Sequence, residues 1–192
     1  MPIVIRELNM YKYDYIFSIG EACSCAQLLK KNSLRRFSGP FDWLWGASLY
    51  NRAGIILNDF EDYLKKEYFE HYDDPSAPYN VFVNTKTDLH FNHDFAKGVS
   101  FENNFPDFEE KYKRRINRFL DILKSGKKVL LVYLQCPDLP GVVHKQKNED
   151  EEIKLASKLI SEKYPNVDML YINHDENMRD SEYTLDTVTD NL

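Results

Sequence analysis

The sequence predicts an α/β protein, a single-domain open sandwich in which a mostly parallel sheet is flanked by helices. Three observations lead there. Two continuous apolar runs, KKVLLVYLQ at 127–135 and VDMLYIN at 167–173, are separated by an amphipathic helical stretch at 149–163, the pattern of a strand–helix–strand crossover. Their apolar character is continuous rather than alternating, as a strand covered on both faces requires. A third run, YIFSI at 15–19, ends in Gly20 and passes directly into helical periodicity, repeating the arrangement. Helices layered on a mostly parallel sheet accommodate such runs.

The elements follow in order. Residues 1–12 read as a lead-in, 13–175 as one domain, and 176–192, where hydrophobic periodicity is lost, as a tail or the point where a longer chain was cut. After the strand at 15–19 and the turn at Gly20 comes a helix over 24–31. Residues 32–47, rich in Arg, Ser, Gly, Pro and Trp, read as a loop. Residues 48–70 look helical in two pieces that break near Asn58 and Asp59, and short strands are expected at 79–84 and 88–91. A helix over 107–124 has Pro106 and Asp107 at its start and Glu109 and Glu110 in its first turn, where carboxylates suit the dipole. Tyr112, Ile116, Phe119, Leu120 and Leu123 give it an apolar face. Lys111, Arg114, Arg115 and Arg118 recur along the same helix; the expected meaning is a solvated face, the alternative an anion contact. The helix at 149–163 opens with four acids and turns Ile153, Ala156, Leu159 and Ile160 inward.

Composition narrows the function. The 192 residues are 43% hydrophobic and carry a net charge of −6, which implies no general affinity for nucleic acid or acidic membranes. The N-terminus lacks the basic start and apolar stretch of a signal peptide. No run approaches the roughly 18 apolar residues of a membrane span. Three cysteines without an export signal suggest free thiols in a reducing, cytoplasmic setting. No G-x-G-x-x-G or Walker loop is present, so no cofactor is expected. The expected partner is a small-molecule, peptide or glycan substrate; oligomeric state is not legible.

The chemistry concentrates at GEACSC, 20–25. Ligand sites in open α/β sheets lie beyond the carboxyl ends of the strands. With a helix starting near 22–24, Cys23 sits in its first turn among unpaired backbone N–H groups. Those donors and the dipole favour a thiolate, and they also suit an oxyanion. Cys25, two residues on, faces away and is expected to be packing. Cys23-x-Cys25 with His90-x-x-His93 could supply four zinc ligands, but a one-residue spacing diverges on a helix and no metal is expected. A phosphatase would need an arginine shortly after Cys23, and none follows.

A thiol nucleophile needs a base and an orienting group. His71 and His144 read as solvated. His93, in LHFNHDF, and His174, just past the last strand, are the candidate bases, and topology alone does not separate them. For the orienting group, Asp94 adjoins His93 but points to the opposite face of an extended segment. Asp42, enclosed by aromatics in GPFDWLW, needs a partner; an imidazole N–H would satisfy it, as would a turn or Arg35 or Arg36.

These residues carry a resemblance. Ser18, Ile19 and Gly20 followed by Cys23 and Ala26, then Ser38 to Trp43 (SGPFDW), His93 to Phe95 (HDF) and Lys111 to Phe119 (KYKRRINRF) together resemble a bacterial family of unknown function described as "putative papain-like cysteine peptidases". The similarity spans roughly 13–175. It implies a thiol peptidase, and points to Cys23 rather than Cys25 and to His93 rather than His174. The strand–Gly-x-x-Cys–helix arrangement is equally similar to the nucleophile turn of serine esterases. The leading expectation is thus a thiol-dependent hydrolase of an amide or ester using Cys23, His93 and Asp42. The competing one is a non-catalytic module that holds a glycan or peptide.

Overall fold

The computed structural model describes residues 13–136 and 148–172 and the backbone of 185–187. The elements in chain order are β1 (Tyr15–Ser18), α1 (Cys23–Lys31), β2 (Leu44–Gly46), α2 (Leu49–Leu57), a 3-10 turn (Lys66–Tyr68), β3 (Phe69–Tyr72), β4 (Asn80–Asn84), β5 (Leu89–Phe95), α3 (Phe101–Leu123), β6 (Val129–Leu134), α4 (Asp150–Lys163), β7 (Val167–Ile172) and β8 (Leu185–Thr187).

The three apolar runs form one sheet. β1 pairs parallel with β6 and β6 with β7, and β8 closes the edge antiparallel, in the order β1-β6-β7-β8. β8 lies within 176–192, the stretch read as a tail or the point where a longer chain was cut. The runs are continuous because both faces are covered. On one face Ile16, Leu130, Val132, Leu170 and Ile172 pack with Cys25 and Leu29 of α1. On the other, Phe17, Ile19, Leu131, Tyr133, Met169 and Tyr171 join the main core with α2, α3 and α4.

A second sheet was not expected. It is wholly antiparallel, in the order β2-β5-β4-β3. β2 lies in the stretch read as a loop, and β3 begins at the end of the stretch read as a second helical piece. Left-handed backbone at Asp59 and Phe60 ends the helical path after α2, which frees the chain to turn into β3. The inner face of this sheet packs Phe69, Phe91 and Phe95 against Phe101, Phe105, Phe108 and Tyr112 of α3. Burial of these rings supplies much of the core, each worth on the order of 2 kcal/mol.

Two features of α3 correct the sequence reading. Its cap is Ser100, whose hydroxyl accepts from Asn103 N–H, so Pro106 falls inside the helix rather than at its start. And its basic side is only partly solvated. Arg114 is exposed, but Lys111 pairs with Asp94, and Arg118 donates to Ser38 O at 2.8 Å while its guanidinium lies 4.1 Å from the Phe37 ring centroid. Arg115 likewise lies over Tyr112. Arg118 lashes α3 to the loop before β2, and Lys111 lashes it to β5.

Candidate active site

β1 ends at Ser18, and its bonding to β6 continues beyond the strand. Ile19 N–H donates to Val132 O at 2.8 Å and Glu21 N–H to Leu134 O at 3.2 Å. The chain then leaves the sheet and α1 begins at Cys23, with Ala22 as an extended N-cap that offers no side-chain cap. Only a glycine allows so tight a turn at position 20. A Cβ there would lie 2.3 Å from Cys25 Cβ and 3.2 Å from Leu134 N.

Cys23 is therefore the first residue of a helix at the carboxyl edge of the parallel strands, half-buried, with Gln27 donating to its sulfur at 3.8 Å. Among the described residues, the N–H groups of Ala22, Cys23 and Ser24 have no acceptor, since the first turn of a helix lacks the preceding carbonyls. Cys25 is different in kind. It is fully buried, its thiol donates to Val132 O at 3.4 Å, and burial pushes it up to about 11, against the opposing effect of the Ser18 hydroxyl.

That shift carries a pH prediction. The folded value lies above the ordinary thiol value, so the contribution of a neutral Cys25 is intact below about pH 8.5 and is lost as pH rises through about 11. The wild type should lose about 2 kcal/mol more stability between those limits than Cys25→Ala does. Denaturant midpoints at pH 8 and pH 11 check this, and equal losses in both proteins would contradict it.

Three residues that the sequence reading passed over frame the same turn. Glu21 is buried, and its Oε2 accepts from Cys136 N–H at 2.9 Å. Cys136 follows β6 and is half-buried, its thiol 3.8 Å from the Ser24 hydroxyl. Arg52, on α2, is fully buried and donates to Glu21 O at 3.1 Å, to Gly46 O at 2.6 Å and to Ala47 O at 3.2 Å. It ties the Cys23 turn to the turn between β2 and α2. Arg52 and Cys136 were detectable in principle. An arginine on the stripe that buries Leu49, Ala53 and Ile56 has to be bonded inward. Cys136 directly follows an apolar strand expected to lie parallel to the first.

The other expected residues lie on the second sheet and beside it. His93 is exposed on β5, its ring 6.4 Å from that of Trp43 and 6.1 Å from that of Tyr79. From Phe82↔Phe91 to Asn80↔Phe95, β4 advances two positions while β5 advances four, so His93 sits in a bulge. Asp94 turns the other way, to Lys111 and to Tyr112 OH at 3.0 Å. Asp42 is buried and ion-paired with Arg35, one of the partners the sequence left open. Burial raises its carboxyl and the Arg35 charge opposes that rise. Arg35 lies 5.4 Å from the Trp43 ring centroid, so Asp42, Arg35, Trp43 and His93 are in series. Among the described residues no hydrogen bond joins Cys23, His93 and Asp42 directly. His144 and His174 lie outside the described residues. Among the described residues no three metal-ligating side chains gather, and no helix is long and apolar enough to cross a membrane.

Two sheets with flanking helices and a cysteine-bearing strand–turn–helix at the parallel edge define the class. The chain belongs to the family described as "Putative papain-like cysteine peptidase (DUF1796)", whose model matches residues 14–177. It is 27% identical over 166 residues to an uncharacterized protein of Acanthamoeba polyphaga mimivirus, a match covering 76% of this chain and 72% of the relative. That relative is viral, so bacterial origin stays an expectation. No solved structure matches the chain significantly.

Proposed function

We propose that this protein is a thiol-dependent hydrolase of amide or ester bonds, with Cys23 as nucleophile, His93 as base and then acid, and Asp42 as a positioning residue. The observation that carries the reading is the place of Cys23. A half-buried thiol opens a helix, among three N–H donors that have no acceptor among the described residues. In the reaction the sulfur attacks the carbonyl carbon, and the oxyanion takes hydrogen bonds from those N–H groups. The histidine returns a proton to the departing amine or alcohol, leaving a thioester on Cys23. The same histidine then takes a proton from water, whose oxygen displaces the sulfur and releases the acid. His93 is supported by its exposed ring in a bulge and by the HDF motif. Asp42 would act on it at one remove, by fixing Arg35 against Trp43. The direct Cys23–His93 bond would form only with substrate present, as catalytic hydrogen bonds often do. Three free thiols fit a cytoplasmic site of action.

The test is acylation by p-nitrophenyl acetate, followed by nitrophenolate release and by the acetyl mass on each cysteine. A burst with acetyl on Cys23 is expected, slowed at least 100-fold in His93→Ala and unchanged in His174→Ala. If His174→Ala is the variant that loses the burst, the base is reassigned.

One observation favours the binding-module reading. Trp43, Tyr79 and His93 form one aromatic group on the second sheet and Trp45, Tyr72 and His90 another, with Tyr72 and Tyr79 exposed. Such a surface suits a glycan or peptide. It would prevail if Cys23 takes no acetyl group.

A further inference from the structure

The third cysteine brings a second chemistry to the Cys23 turn. β1 and β6 are parallel neighbours, and their hydrogen bonding runs on past the strand, from Ile19 N–H to Val132 O and from Glu21 N–H to Leu134 O. Continued past the strand, the register of Ser18 with Val132 puts Cys136 level with Ala22, next to Cys23, where the first chain coils into α1. Contacts fix that placement. Cys136 N–H is held by Glu21 Oε2 at 2.9 Å, and the Cys136 sulfur is 3.8 Å from Ser24 Oγ, on the residue next to Cys23. Both thiols are half-buried, whereas Cys25 is sealed against β6.

We propose that Cys23 and Cys136 are a peroxide-responsive dithiol that closes to an intramolecular disulfide and so masks the nucleophile. This rests on the reading of Cys23 as the reactive thiol. A disulfide needs Cα atoms within about 7 Å, and Cys23 adjoins Ser24, whose hydroxyl lies 3.8 Å from the Cys136 sulfur. The two sulfurs have distinct roles. Burial raises Cys136 above the ordinary thiol value, the Ser24 hydroxyl opposes this, and negative charge on Glu21 and Cys23 adds to the rise. Cys136 thus waits as a protonated thiol while Cys23 meets the oxidant.

The Cys23 sulfur attacks the terminal oxygen of a hydroperoxide. An S–O bond forms, the O–O bond breaks, and the alcohol (or water, from hydrogen peroxide) departs with the proton. Cys23 becomes a sulfenic acid, and the peroxide is reduced by two electrons. The Cys136 sulfur then attacks the Cys23 sulfur. The S–S bond forms, the S–O bond breaks, and hydroxide leaves with the Cys136 proton as water. One hydroperoxide and two thiols yield one disulfide, one alcohol and one water. A small dithiol reverses the closure.

The test treats the full-length protein with hydrogen peroxide at pH 7, blocks with iodoacetamide and maps the peptides. Trypsin places Cys23 and Cys25 on one peptide and Cys136 on another, and fragmentation assigns each sulfur. The expected product is a Cys23–Cys136 cross-link, two hydrogens lighter, whose reduction by dithiothreitol restores alkylation of Cys23. Cys136→Ser should alkylate at Cys23 like the wild type before peroxide, and afterwards carry sulfinic or sulfonic acid there that dithiothreitol does not reverse. Cys136→Ala should do the same, which separates loss of the thiol from gain of a hydroxyl. Over-oxidation of Cys23 as fast in the wild type as in Cys136→Ser, or a cross-link to Cys25, overturns the dithiol while leaving Cys23 reactive. A Cys23 that resists both iodoacetamide and peroxide overturns the dithiol and the hydrolase reading together.

Discussion

Arg52→Met is expected to lower the melting temperature by roughly 6–12 °C, the equivalent of about 3 kcal/mol for a chain of this size. The side chain is fully buried and donates to carbonyls of two separate turns, Glu21 O on one side and Gly46 O and Ala47 O on the other. Methionine fills similar space but donates nothing, so those carbonyls lose their charged partner. The protein regains part of the loss because a buried cation is itself costly; burial works against the Arg52 charge, and Tyr133, Tyr63 and Glu21 only partly offset that. The turn holding Cys23 loses a support, so alkylation of Cys23 should slow as well. A melting temperature within about 1 °C of wild type would show that these bonds contribute no net stability.

Gly20→Ala is the second large effect. The new methyl would overlap Cys25 Cβ at 2.3 Å and crowd its sulfur at 2.9 Å, with the Leu134 backbone 3.2 Å away. Cys25 cannot retreat, because it is packed between Ile16, Leu29 and Val132. The start of α1 has to move off the sheet, at a cost of about 3 kcal/mol. Gly54→Ala in α2 is the matched control. Its Cβ would meet nothing within 4 Å, so the helix should gain about 0.5–1 kcal/mol from the lost flexibility. Denaturant unfolding of both variants measures the contrast, and a Gly20→Ala protein as stable as wild type would remove close approach as the reason for glycine.

The parallel sheet was legible because its strands announce themselves locally. Runs such as 129–134 and 167–172 are apolar throughout, and the helix between them keeps its period. Of the second sheet, the strands expected at 79–84 and 88–91 are present as β4 and β5. The sheet itself was not legible, because its outer strands β2 and β3 are short and β2 pairs remotely with β5. β2 is three residues inside a Trp-rich stretch, recognisable only once paired with β5. β3 follows DYLKKEY, whose residues favour helix, and only the left-handed backbone at Asp59 and Phe60 redirects it. The cap of α3 was misplaced because Pro106 resembles a first helical position, whereas Ser100 and Asn103 make the actual cap.

The site divides in the same way. The place of Cys23 follows from a local pattern, strand–Gly-x-x-Cys–helix. What surrounds it does not. Glu21, Arg52 and Cys136 meet only through the sheet register and the packing of α2, and the Asp42–Arg35 pair was one of several open choices.

The measurement that bears most directly on the account is the rate of iodoacetamide alkylation at pH 7, resolved for each cysteine by mass spectrometry. Cys23 should react first and alone, with Cys136 slower and Cys25 silent until the protein unfolds. If Cys23 reacts no faster than Cys136, the start of α1 does not activate a thiol, and the hydrolase reading fails.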